Sequence, residues 1–217
     1  MNGLRDLSSG QVRKHLEEFA PRYIDDWKAW LSVKSQENVC AVATEFGRIL
    51  RRWQACRPNR MRRTKLEGGH AGLYLDDLIA RAQEPLGALR AFECCSAIAP
   101  SHREALRALW RIFTDLSYLG KARNGHAGVV GISKAVLLLT EGRVGPAFDS
   151  KVRGNLKTGK IGTADAWIAS LQRVGDDIMQ FEKRNKCRLR NVVPRKFAGF
   201  HCGRIYDMVF GPRKKQE

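Results

Sequence analysis

The chain has 217 residues, 43% of them hydrophobic, and a formal net charge of +17. That length supports one domain with a sizeable core, and that hydrophobic share excludes a disordered chain. No apolar run approaches a membrane span, and the charge points to a polyanionic partner, with nucleic acid ahead of an acidic membrane surface.

Helical periodicity dominates from the start. Ser9 to Phe19 reads as a short helix ended by Pro21, and Tyr23 to Val33 as a second. Ser35 caps a longer helix whose apolar positions are Val39, Val42, Phe46, Ile49, Leu50 and Trp53. The tryptophans Trp27, Trp30 and Trp53 are read as core, with a base-stacking wall that includes Trp27 or Trp30 as the minority reading. Residues 57–72 form a loop. Between Arg48 and Lys65 stand eight basic residues with no acid among them, including Arg57, Arg60, Arg62 and Arg63. A charge run of this kind is a solvated surface or a phosphate-contacting segment, and Arg60, Arg62 and Arg63 are the candidates for the second role.

Leu73–Ala82 and Pro85–Cys95 read as two further helices, with proline in the first turn of the second. Ser101 and Glu104 have capping-box spacing and open a helix with an Ala105, Leu106, Leu109, Ile112, Phe113 stripe, ended at Gly120. A basic link, residues 121–126, leads to Gly128-Val-Val-Gly131. These glycines read as a turn opening an apolar helix over about Ile132–Thr140. A second loop, Gly142–Phe148, delivers Asp149 to the start of another helix. Glycines admit a phosphate close to backbone amides, and a helix N-terminus adds partial positive charge. The segment therefore offers an anion-binding turn and, nearby, a single carboxylate.

The order of turn, helix and aspartate in residues 128–153 resembles the helix-hairpin-helix DNA glycosylase superfamily, which includes endonuclease III, MutY and 8-oxoguanine glycosylase. Val130-Gly131 with Ser133-Lys134-Ala135 stands where that family has its hairpin and second helix. Phe148-Asp149-Ser150-Lys151-Val152-Arg153 stands where it has its aspartate segment. Val129 occupies the place of the family's first hairpin glycine. Ser133 occupies the place of the lyase lysine, as in single-function members, with Lys134 one residue on. The resemblance implies an all-α fold of two helical lobes, 1–120 and 121–217 within a single domain, around a central cleft with the hairpin at its mouth. It also implies an N-glycosylase that flips a damaged or modified base out of double-stranded DNA. Asp149 would stabilise the sugar cation, and no lyase step would follow. Were an amine to attack the sugar, Lys134 would be nearest. Gly128, Gly131, Ser133, Lys134, Lys151 and Arg153 would hold phosphates. The alternatives are a non-catalytic DNA-binding member of the same fold and, on charge alone, an RNA-binding protein.

Residues 154–161, Gly-Asn-Leu-Lys-Thr-Gly-Lys-Ile, nearly match a phosphate-binding P-loop. They do not make one, because Ile161 stands where magnesium needs a hydroxyl and no strand precedes it. Thr163 caps the longest helix, with Trp167, Leu171, Val174, Ile178 and Phe181 on one face. The chain from Pro194 on reads as irregular. The six cysteines, Cys40, Cys56, Cys94, Cys95, Cys187 and Cys202, contain no Cys-x-x-Cys pair. No metal, iron–sulfur centre or other cofactor is expected, and reduced thiols with no apolar signal core at residues 1–9 suit the cytoplasm, on the nucleoid in a bacterium.

Overall fold

The computed structural model describes residues 3–68, 72–118 and 126–214. Every regular element among them is helical, as the apolar periodicity predicts. Helix α1 (Ser9–Glu17) starts from a capping box: the Ser8 hydroxyl accepts from the Gln11 amide at 3.2 Å, and the Gln11 side chain accepts from the Ser8 amide at 2.8 Å. Pro21 occupies the first position of α2 (Pro21–Val33), where its missing N–H costs nothing. Helix α3 (Val39–Arg52) is capped by Asn38, whose side chain accepts from the Ala41 amide at 3.1 Å. The cap is therefore three residues beyond the expected Ser35.

One helix replaces the two expected between Leu73 and Cys95. Helix α4 (Leu75–Ala88) carries Pro85 inside it. Leu78, Ala82 and Pro85 fall on one buried face, so the ring contributes to the core. The hydrogen bond it removes lies near the helix end, where little ladder remains to be lost. The chain then turns through residues 89–99. Helix α5 (Pro100–Thr114) starts one residue before the expected capping box, which does not form; Pro100 opens the helix and Glu104 pairs with Arg107 at 2.7 Å. It ends at Thr114. The expected stop at Gly120 and the basic link 121–125 lie outside the described residues.

The expected Gly128–Gly131 turn is corrected: helix α6 (Val129–Leu139) starts three residues before the expected Ile132, with Gly128 as its cap residue and Gly131 inside its first turn. Helix α7 (Ser150–Asn155) follows Asp149, and α8 (Ala164–Asn185) follows Thr163, whose hydroxyl accepts from the Ala166 amide at 3.2 Å. The expectation of an irregular C-terminal part is corrected by α9 (Cys202–Phe210). Its Ile205, Met208 and Val209 are fully buried, which makes it a core helix.

A single cluster of buried side chains runs from Leu4 to Phe210 and draws on both halves of the chain. The N-terminal turn Leu4–Asp6 is fastened to α8 by Asp177. This wholly buried carboxylate accepts from the Leu4 amide (2.8 Å), the Arg5 amide (3.1 Å), Arg5 Nε (2.6 Å) and the Tyr206 hydroxyl (2.8 Å). The loop between α6 and α7 is clamped to α9. Gly142 has φ +79°, and a Cβ there would lie 2.5 Å from Arg204 Cβ. Only glycine fits both the backbone angle and the contact. Among the described residues no helix is long and apolar enough to cross a membrane, and no group of three or more metal-ligating side chains converges.

Candidate nucleic-acid interface

Gly131 joins two parts of the sequence. A Cβ at Gly131 would lie 2.8 Å from the Ala55 carbonyl oxygen and 2.9 Å from Cys56 Sγ. The glycine therefore serves close packing; its backbone is helical and needs no special angle. The loop that follows α3 lies against the first turn of α6. Gly128 is exposed and has no side chain to cap that turn, so the helix end keeps its partial positive charge, although Val129 and Gly131 within the turn are buried. On the same loop Arg57, Arg60 and Arg63 are exposed, and none of the three makes an ion pair among the described residues. A positive helix end and free guanidinium groups thus belong to one packed unit.

Arg62 differs from its neighbours. Its Nε donates to the Asp115 carbonyl at 2.5 Å and its Nη1 to the Leu73 carbonyl at 2.9 Å. It ties the basic loop to the end of α5 and the approach to α4. Replacing Arg62 with Ala should therefore destabilise the fold by about 1–3 kcal/mol, read as a lowered urea midpoint. Arg60→Ala and Arg63→Ala should leave that midpoint unchanged.

Lys134, one turn beyond Gly131, points inward. Its ammonium donates to the Trp53 carbonyl at the end of α3. Burial lowers its pKa, and the negative charges of Asp207 and Asp149 oppose that shift. Cys56 lies close enough to feel the Lys134 charge, though burial still pushes its thiol up to about 11. The cation is thus held where three elements meet. The Trp53 indole in turn donates to Asp26 at 3.0 Å, and Asp26 pairs with Arg52 at 2.8 Å.

Asp149 caps α7. Its Oδ1 accepts from the Lys151 amide at 2.9 Å and from the Val152 amide at 3.0 Å. Such a cap contributes about 1 kcal/mol. The preceding residue is fixed from α6: Ser133, 2% exposed, accepts the Phe148 amide on its hydroxyl at 2.8 Å. Ser133 therefore positions the aspartate loop from inside, and its hydroxyl does not reach the surface where a phosphate would lie. Arg153 turns back to donate to the Asp149 carbonyl at 3.3 Å, whereas Lys151 is exposed. Trp27 and Trp30 are core residues, as expected.

Asp207 and Arg204 on α9 complete the cluster and were missed in the sequence. Asp207 accepts from the Ala147 amide at 3.2 Å and from Arg204 Nη1 at 2.6 Å. Burial pushes its carboxyl up, Arg204 draws it back, and Asp149 adds to the upward push. The Arg204 guanidinium lies 4.4 Å from the Trp27 ring centre and donates to the Tyr23 carbonyl at 3.2 Å. The helical spacing of Ile205, Met208 and Val209 was the available signal for this helix. Comparison with protein-family models, curated proteins and solved structures finds no match to this chain.

Proposed function

We propose that the chain binds double-stranded DNA and releases a damaged or modified base by cleaving its N-glycosidic bond, without a lyase step. The observation that carries this reading is that an uncapped helix end and a free arginine loop lie in one packed unit whose buried Lys134 feels the charge of Asp149. The first two match the phosphate backbone, which dominates affinity for DNA. Asp149 supplies the negative charge that an oxocarbenium-like sugar requires.

Lys134 has the lowered pKa that a nucleophilic amine needs, but its ammonium is tied to the Trp53 carbonyl. Its role in this reading is to tie α6 to the end of α3, while Ser133 beside it holds the aspartate loop. The full use of Asp149 Oδ1 in capping favours a second reading, DNA binding without catalysis. The two readings share the interface and differ only in what Asp149 does.

The interface is tested by the salt dependence of binding. The double variant Arg60→Ala, Arg63→Ala should bind every duplex sequence more weakly by a similar factor. The slope of log affinity against log salt should fall by roughly one unit per lost phosphate contact. An unchanged slope would return the loop to a solvated surface, and tighter binding to RNA than to duplex DNA would favour an RNA partner.

A further inference from the structure

A cavity of about 360 Å³ lies between the last turn of α1, helix α7 and the end of α9. That volume is within the range of small-molecule sites, roughly 300–1,000 Å³. Leu7 and Phe210 give it apolar walls, and His15, Lys151, Asn155 and Arg213 give it polar ones. No carboxylate lines it.

Asn155 is 5% exposed, and neither its Nδ2 nor its Oδ1 has a hydrogen-bond partner. A buried amide with donor and acceptor both unmet is costly and uncommon. His15 Nδ1 is also buried without a partner. Burial, followed by the Arg213 charge, lowers the His15 pKa, so the imidazole is neutral. Arg213 is fixed by the carbonyls of His15 (3.2 Å), Met208 (3.0 Å) and Val209 and supplies charge rather than a free donor. Lys151, on the same face of α7 as Asn155, is exposed and makes no ion pair among the described residues.

We propose that this cavity binds a nucleoside monophosphate, with the Asn155 amide pairing to the donor–acceptor edge of the base, the base ring against Phe210 and the phosphate at Lys151. An amide matches a base edge that presents a donor beside an acceptor, as adenine does. The two cations without a carboxylate select an anion. The terminal amide torsion is broad, so turning it into the cavity costs little. The site does not depend on base excision. Its test contains no DNA, so its failure and that of the glycosylase reading are observed separately.

The test is calorimetric titration of the full chain with each of the four common nucleoside monophosphates, their nucleosides and inorganic phosphate. At least one monophosphate should saturate, and phosphate alone should not. Asn155→Leu should weaken that binding by about tenfold or more, with an unchanged or raised melting temperature because the unmet amide is gone. Lys151→Met should reduce monophosphate affinity to that of the nucleoside and leave nucleoside affinity unchanged. A wild-type chain saturated by none of the four overturns the proposal, as does wild-type binding in either variant. Should Asn155→Leu fail to fold, the exposed Lys151→Met decides alone.

Discussion

Asp149→Asn should slow base release by on the order of a hundredfold or more while leaving DNA affinity and melting nearly intact. Asparagine keeps the Oδ1 acceptor that takes the Lys151 and Val152 amides. It ranks with aspartate as a cap, so α7 should persist. What is lost is the negative charge, and that charge is what a developing sugar cation needs. Removing it also withdraws one of the two carboxylates that support the Lys134 ammonium, so the Lys134 pKa should fall further. DNA affinity should stay the same or rise, since a negative charge near the phosphates has gone. Single-turnover release, a binding isotherm and a melting curve on both proteins separate the outcomes. Wild-type release in the variant, with unchanged melting, would leave Asp149 as a helix cap alone.

The largest loss of stability is expected at the other end of the molecule. Asp177→Ala should cost about 3–5 kcal/mol, which for a chain of this size lowers the melting temperature by roughly 10 °C. Four donors converge on that carboxylate, and two of them, the Leu4 amide and the Tyr206 hydroxyl, are left buried without an acceptor when it is removed. The N-terminal turn would then detach from α8. Asp177→Asn should fall between the two, since it keeps one acceptor and loses the charge facing Arg5. Urea unfolding provides the check. A loss below about 1 kcal/mol would show that the turn contributes little beyond the burial of Leu4.

Local rules made the helices legible. The Trp167, Leu171, Val174, Ile178, Phe181 stripe marked α8, and the Thr163 and Asp149 caps formed where side-chain chemistry placed them. The misplaced boundaries have local causes too. Pro85 reads as a helix start, but its buried face continues that of Leu78 and Ala82, so packing outweighed one lost hydrogen bond. Ser101 reads as a cap, but Pro100 was already the first helical residue.

The site was only half legible, because its joints are long-range. Lys134 and the Trp53 carbonyl are 81 residues apart in the chain. Nothing near Gly131 in sequence reveals that the Ala55 carbonyl and the Cys56 thiol lie against it. Arg62 looks like Arg60 and Arg63 until the Asp115 and Leu73 carbonyls are seen to occupy it. Asp207 reaches the aspartate loop from a helix whose short apolar pattern is easily taken for an irregular tail.

The most direct measurement is a screen of duplexes, each carrying one modified base, incubated with excess chain and then treated with alkali. Alkali cuts a strand at any sugar that has lost its base. At least one duplex should become alkali-labile and yield the free base, should stay uncut without alkali, and should become resistant with Asp149→Asn. Tight binding of every duplex with no base released from any of them would contradict the glycosylase reading and leave a DNA-binding protein.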